Sequence, residues 1–290
     1  MIDVILCCYN QEKTITQALE SIYNQEINEE INLIIADDKS KDKTLEIIKA
    51  TKNPSDRITL DILEASENLG LVKNYQRAFS ACKGEFVLLL EGDDWWCSPN
   101  HIKQHVDFLR EHKEISMTMN CLKIYDVEKD DYIIPWDSSW GQFKKWTLQE
   151  QIQGNKLGNL SGCCFRVEYI KSLPESIYDI YFADWLLGIM MAEHGDIAVL
   201  QEVTSVYRMW PDGQWSGLSL KKRTKEYINL AHLYDSFLNQ KYHSDFKALE
   251  KSLKKEFFHS STIYKIISKI KKLVQNCGKL IGNKQFLFTF

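Results

Sequence analysis

Apolar positions in the first hundred residues fall into short unbroken runs separated by stretches of helical spacing. Residues 2–9 (IDVILCCY) read as a buried strand, and 14–25 put Ile15, Leu19 and Ile22 on one helical face. Residues 31–37 (INLIIAD) form a second strand, a helix begins near Asp42, and 58–65 (ITLDILEA) form a third strand. Leu71 to Cys82 is helical, Gly84 stops it, and 85–94 (EFVLLLEGDD) is a fourth and most apolar strand. Ser98-Pro99 opens a helix reaching about His112, with proline in a favoured first-turn position. Such alternation implies an α/β fold, a doubly wound and mostly parallel sheet covered on both faces.

The second half is less regular. A polar stretch carries Trp136, Trp140 and Trp146, which read as packing residues; GNLSGCCFR (158–166) follows, then a helix over 183–195, a strand over 197–208 and the loop 209–217. With 290 residues, 44% of them hydrophobic, and only 5 Pro and 13 Gly, the chain can bury a large core with long elements and short connections. One large domain with an appendage fits as well as two domains. The start lacks a basic segment followed by an apolar one, and no window approaches the roughly 20 apolar residues of a membrane span, so a cytoplasmic protein is expected. Eight cysteines include the adjacent pairs Cys7/Cys8 and Cys163/Cys164 but no CxxC, and read as reduced packing residues.

Chemistry concentrates at the strand ends. Ligands of open α/β sheets bind beyond the carboxyl ends of the strands, and here those ends read Tyr9-Asn10, Asp37-Asp38 and Glu91-Gly92-Asp93-Asp94. Neither GxGxxG nor GxxxxGK[ST] is present, which argues against dinucleotide or P-loop ATP binding. Carboxylates crowded at the end of a buried strand favour a divalent cation, and an all-oxygen set suits Mg²⁺ or Mn²⁺ rather than zinc. Such an ion would neutralise a diphosphate leaving group. Asp37-Asp38 alone would serve equally well as a helix cap, and Asp184 sits where a helix N-terminus attracts acidic residues in any case.

Taken in order, Tyr9-Asn10, Gln25, the run from Asp37 to Thr44, Asn68-Leu69-Gly70 and Gly84-Glu85-Phe86 leading into Glu91-Gly92-Asp93-Asp94 resemble the GT-A glycosyltransferases of family 2. The resemblance covers about residues 1–217 and is strongest over 1–96. It implies a GT-A fold binding a UDP-sugar, with Cys8, Tyr9 and Glu12 lining the nucleotide pocket and Asp38, with Asp37, at the base or ribose. Glu91 and Asp93 take the acidic positions of the DXD motif as metal ligands, Asp93 foremost, with Asp94 toward the ribose or sugar. Trp95 and Trp96 form a sugar-facing wall, Gly162 lies in the acceptor loop beside Trp185 and Trp215, Asp184 is the general base, and Arg208 adds positive charge at the diphosphate. Four departures stand out: Cys7 where proline is usual, Lys39 where glycine is usual, Trp210 where many relatives carry histidine, and Glu91 rather than aspartate as the leading DXD residue.

Net charge separates the two ends of the chain. Residues 221–290 carry 15 Lys and Arg against 5 Asp and Glu, an excess of +10 within an overall charge of −4, so residues 1–220 carry about −14. Over 259–284, apolar residues at helical spacing alternate with lysines in an amphipathic basic helix, suited either to packing on the body or to docking on anionic lipid. The division expected is a catalytic domain over 1–217, with a nucleotide-sugar half (1–96) and an acceptor half (97–217), and a basic helical appendage over 218–290. The function expected is inverting transfer of a hexose (galactose, glucose or N-acetylhexosamine) from a UDP-sugar to a glycan on a lipid carrier or protein. It would act in bacterial surface polysaccharide or glycoprotein assembly, peripherally at the inner face of the plasma membrane, without nucleic acid. A catalytically inactive scaffold for another transferase is the alternative, and a nucleotidyltransferase a poorer third, for want of a glycine-rich basic loop.

Overall fold

A computed structural model of the chain describes residues 1–136, 141–213, 215, 217–255 and 257. The first half follows the apolar pattern closely: β1 (Ile2–Cys8), α1 (Ile15–Tyr23), β2 (Ile31–Asp37), α2 (Thr44–Ala50), β3 (Ile58–Leu63), α3 (Leu71–Ala81) and β4 (Phe86–Glu91) succeed one another. β1 pairs in parallel with both β2 and β4, and β2 with β3. Every residue of β1 and β2 is buried, as expected of central strands covered on both faces, whereas β3 at the edge is mostly half-buried. α1 packs Ile15, Ala18, Leu19 and Ile22 into the cluster that holds Val4, Leu6 and Leu88. Each such aliphatic side chain contributes about 1.5–3 kcal/mol.

The chain continues through β5 (Trp95–Trp96), α4 (His101–Glu111), β6 (Ile115–Asp126), β7 (Asp131–Ile133), β8 (Phe143–Trp146), α5 (Leu148–Ile152), β9 (Cys163–Arg166), α6 (Val167–Lys171), α7 (Asp184–Ala192) and β10 (Asp196–Met209). Among the described residues one sheet runs β3-β2-β1-β4-β9-β6-β10-β5, with β7 on β6 and β8 on β10. β9 lies antiparallel between β4 and β6, and β6 pairs in parallel with β10. The twelve-residue β6 is absent from the sequence-based expectation. Its interior alternates apolar residues with Ser116, Thr118 and Asn120, and these are buried too. Thr118 Oγ1 lies 2.8 Å from His105 Nδ1, Asn120 Oδ1 accepts from Ser205 Oγ (3.1 Å), and Ser116 Oγ donates to Gly195 O (2.9 Å). Buried polar side chains of this kind require partners from elsewhere in the fold, which no local pattern displays.

The chain divides into two compact units, Met1–Gly217 and a second beginning at Leu218. In the second unit α8 (Leu220–Phe237) begins with Ser219 as its cap, and the chain is helical again over 243–255. His243 Nδ1 lies 2.6 Å from Asp235 Oδ2, and His232 Nε2 lies 3.2 Å from Glu250 Oε2. The amphipathic segment expected over 259–284 lies outside the described residues. No described helix is long and apolar enough to cross a membrane. The seven described cysteines form no disulfide, and all but Cys97 are buried.

At the end of the sheet away from the acidic strand ends, fully buried Asp3 joins three elements: Oδ1 accepts from Asn32 Nδ2 (2.8 Å), and Oδ2 from the backbone of Lys83 (2.8 Å) and Gly84 (2.6 Å). Asp3→Ala would leave three donors without their acceptor, the buried Asn32 amide among them. It is expected to lower unfolding stability by about 3 kcal/mol in urea titration while the folded fraction keeps its ligand binding.

Candidate active site

The sheet places its polar strand ends side by side. Asp38 N, just beyond β2, donates to Cys8 O (2.9 Å), and Gly92 N, just beyond β4, donates to Cys7 O (2.8 Å). Gly92 is required there, because a Cβ would collide with the Gln11 side-chain oxygen and approach Cys8 Cβ to 3.0 Å. From β1 the chain enters a left-handed turn at Asn10 (φ 54°), and the turn after β2 does the same at Lys39 (φ 63°), a backbone that explains the glycine common in relatives. The two turns zip together: Asn10 Oδ1 accepts from Lys41 N (2.7 Å), Glu12 Oε2 from Lys43 N (3.0 Å), and Asp42 Oδ2 from Glu12 N (3.0 Å). Between them and the end of β4 lies a cleft of about 410 Å³, lined by Tyr9, Glu12, Asp42, Asp93 and Trp210 among others.

Asp37 and Asp38 stand behind this cleft. Asp37 accepts the hydroxyl and backbone N–H (3.1 Å) of Ser40, with the Cys8 thiol 3.7 Å away. Asp38 accepts from Leu69 N (2.7 Å), Gly70 N (2.9 Å) and Asn68 Nδ2 (2.9 Å), so the Asn68-Leu69-Gly70 motif is the cradle of this one carboxylate. In both, the protein uses acceptor capacity that the resemblance assigns to nucleotide.

Glu91, Asp93 and Asp94 present carboxylate oxygens all within 4.8 Å of one another. Asp94 is buried and saturated: Oδ2 accepts from Asn159 Nδ2 (3.0 Å) and Ser161 Oγ (2.6 Å), Oδ1 from Arg208 N (2.8 Å). Ser161 Oγ in turn accepts from Glu91 N (3.1 Å), tying β4 to the turn before β9. Glu91 Oε1 accepts from the buried Tyr75 hydroxyl (3.0 Å), and Asp93 Oδ2 from Trp210 Nε1 (3.1 Å). Arg208 stacks 4.6 Å from the Trp95 ring and 5.5 Å from Tyr125, and donates to Asp93 O (2.7 Å) and Gln17 Oε1 (2.6 Å). At the start of α7, Asp184 accepts from Asn155 Nδ2 (2.6 Å) and Trp185 N (3.0 Å).

Burial raises the proton affinity of all four carboxyls, and repulsion from neighbouring acids adds to it at Glu91 and Asp94. Burial first, then the Asp93 charge, push Glu91 up to about 7 against the Tyr75 hydrogen bond. Asp94 is held well above its usual range by burial and its two acidic neighbours, Asp93 is raised by burial, and Asp184 is raised by burial against the Asn155 hydrogen bond. Tyr207 is driven to about 12 by burial and by these same four charges, which places it among them. A hard divalent cation fits this donor set: oxygens only, closely spaced, with excess negative charge that the protein leaves incompletely matched. Asp93 and Glu91 could hold it, since Asp94 already accepts from three protein donors.

Two expected pocket residues are corrected. Trp96 is buried, stacks on His101 (4.3 Å between ring centroids) and donates to Ser161 O (2.8 Å). Trp185 is buried and donates to Gln151 O (2.8 Å). Both indoles found their polar partner inside the fold, so neither presents a face to the crevice. Trp95 is half-buried beside Arg208, Trp215 is exposed, and Gly162 is buried where a Cβ would meet Asn120 Oδ1 at 2.7 Å. Sequence reasoning missed Tyr75, Asn155, Asn159, Ser161 and Gln17; only GNLSG hinted at a turn. Because Glu91 titrates near 7 in the fold but near 4.5 once unfolded, its ionisation destabilises the cation-free protein as pH rises through that window. The stability gain of Glu91→Gln over the parent is therefore expected to grow from pH 4.5 to 7.5 and then level off in thermal melts with chelator.

The family model described as glycosyl transferase family 2 matches residues 3–170, well over half the chain. The uncharacterised protein Rv1520 of Mycobacterium tuberculosis is 29% identical over 222 residues, covering 76% of this chain and 62% of that one. Among solved structures, S. aureus TarS residues 1–349 in complex with UDP-GlcNAc gives a TM-score of 0.59 at 22% identity, covering 79% of this chain and 65% of that one. A mannosyltransferase of Pyrobaculum calidifontis in complex with GDP-Man and Mn²⁺ gives 0.56 at 16%, covering 82% and 64%. The chain thus spans less than two thirds of the length of these relatives, and shares the GT-A fold of the solved ones. With the ordered motifs, the acidic strand ends and the family match in agreement, the chain belongs to glycosyl transferase family 2.

Proposed function

We propose that residues 1–217 form the catalytic unit of an inverting glycosyltransferase that moves a hexose from a UDP-sugar to a glycan hydroxyl. The observation carrying this reading is the set of Glu91, Asp93 and Asp94 at the end of β4, adjoining the Tyr9–Glu12–Trp210 cleft. The electrostatic coupling of Asp184 to Glu91 brings a further carboxylate to the same place. UDP would lie in the cleft, with Tyr9 and Glu12 at its walls. Mn²⁺ or Mg²⁺ held by Asp93 and Glu91 would supply charge to offset the diphosphate. Arg208, on the other side of Asp93, adds a fixed cation in a poorly hydrated place, where it acts more strongly than in water. Asp184 removes the proton of the acceptor hydroxyl as its oxygen bonds to the anomeric carbon, and the bond from that carbon to the UDP oxygen breaks on the opposite face. Burial suits Asp184 to this role, since a raised proton affinity makes it a stronger base while Asn155 and Trp185 N–H keep it ionised.

The relatives' complexes with UDP-GlcNAc, and with GDP-Man and Mn²⁺, support a nucleotide-sugar donor and a divalent ion. We assign the acceptor to a glycan on a lipid carrier or protein in bacterial surface polysaccharide or glycoprotein assembly, and the unit from Leu218 to an appendage that meets the inner membrane face through 259–284. Donor release is the test: UDP-GlcNAc, UDP-glucose and UDP-galactose are each incubated with the full chain, with and without Mn²⁺, and free UDP is measured. Donor-selective release is expected, falling at least about 100-fold in Asp93→Ala and in Asp184→Asn, the latter with donor KM changed less than about threefold. UDP binding without turnover of any donor or acceptor would instead favour the inactive scaffold, which Trp210 bonded to Asp93 and Glu91 in place of an aspartate support.

A further inference from the structure

The segment between α5 and the turn at Leu160–Gly162 touches both halves of the acidic site. At one end Asn155 Nδ2 donates to Asp184 Oδ2 (2.6 Å); at the other, Asn159 Nδ2 donates to Asp94 Oδ2 (3.0 Å). Gly154 (φ 146°) and Gly158 (φ 71°) bracket it in backbone that side chains disfavour, so the chain leaves and re-enters the loop at fixed angles. α5, from which the loop leaves, is itself anchored to the first turn of α7 by Trp185 Nε1 donating to Gln151 O (2.8 Å). The amide of Asn155 has only one workable orientation: its Oδ1 accepts from Leu157 N (3.1 Å), a pure donor, so its NH₂ faces Asp184. With Trp185 N on Oδ1 (3.0 Å), each carboxylate oxygen then holds one N–H and keeps a free lone pair.

We propose that Asn155 is the positioning residue for the general base, fixing the Asp184 carboxylate and holding it ionised through the hydrogen bond to Oδ2. The inference rests on the reading of Asp184 as base, but the hold itself is testable apart from it. Asp184 lies among acidic and uncharged groups: its charge raises the proton affinity of Glu91 of β4, the Tyr75 hydroxyl of α3, the Cys163 thiol of β9 and Tyr207 of β10, and none of these is a cation. The Arg208 guanidinium is engaged with Asp93 and Gln17. Opposing burial are the Asn155 amide and the backbone N–H groups of Trp185 and of Asp184 itself, and of these Asn155 alone can be removed by a side-chain change. Without it a proton should bind Asp184 more tightly, and a base that must be ionised should lose activity at a higher pH.

The test uses the full chain with [¹³C]Asp labelling, the Asp184 carboxyl signal being assigned by its loss in Asp184→Asn. In Asn155→Ala its titration midpoint is expected to move upward by about one pH unit, with the unfolding midpoint within a few degrees of the parent. The acid limb of UDP release from the donor turned over in the assay above is expected to rise by the same amount, kcat falling and donor KM holding. Asn155→Ser, which keeps a donor of shorter reach, should fall between the two and serves if the alanine variant does not fold. An unchanged Asp184 midpoint in both variants would overturn the proposal. An upward midpoint with full turnover in Asp184→Asn would leave the hold intact and remove the base assignment instead.

Discussion

Like charge crowded at the carboxyl end of one buried strand is the constraint around which the rest is arranged. β4 must be apolar to sit inside the sheet, yet within four residues of its last apolar position it delivers three carboxylates. Such a group is tolerable only if protein donors and a counter-ion meet it. The protein supplies the donors unequally. Asp94 takes three, from a loop asparagine, a serine hydroxyl and the β10 backbone, and becomes a structural tie between the two halves of the unit. Glu91 and Asp93 receive one side-chain donor each, from Tyr75 and Trp210. The excess negative charge left on those two is what a cation and a diphosphate would bring into balance.

The same logic separates structural acids from chemical ones elsewhere. Asp38 is enclosed by the backbone of Leu69 and Gly70 and the side chain of Asn68, and Asp3 by three donors at the far end of the sheet. Asp184, by contrast, has one donor on each carboxylate oxygen, from Asn155 and from Trp185 N, and burial raises its proton affinity. Arg208 links the groups: its backbone holds Asp94, its guanidinium reaches Asp93 and Gln17, and its face lies on Trp95. A single residue of β10 therefore sets the distance between the strand-end acids and α1.

The first half of the fold could be read from sequence because its strands are continuous apolar runs and its helices show one buried stripe. The end of β4 fell at Glu91 rather than Asp94, since Gly92 turns the chain against Cys8 and Gln11. β6 escaped because its polar residues are satisfied by His105, Ser205 and Gly195, far away in sequence. The acids of the site were legible as types at strand ends, but their division into tied and untied carboxylates was not, because it depends on Asn68, Asn159, Ser161 and Tyr75 arriving from other elements. Trp96 and Trp185 misled for a related reason: an indole in a motif reads the same whether it faces ligand or core, and only the location of its N–H partner decides.

Calorimetric titration of Mn²⁺ with UDP into the full chain tests the central claim most directly. One ion per chain is expected to bind together with UDP, with binding lost in Asp93→Ala, retained in Asp107→Asn on the exposed face of α4, and stabilising the fold more at pH 8 than at pH 6. Binding of UDP and Mn²⁺ undiminished in Asp93→Ala, or equal stabilisation at both pH values, would contradict the assignment of the β4 carboxylates as the centre of the site.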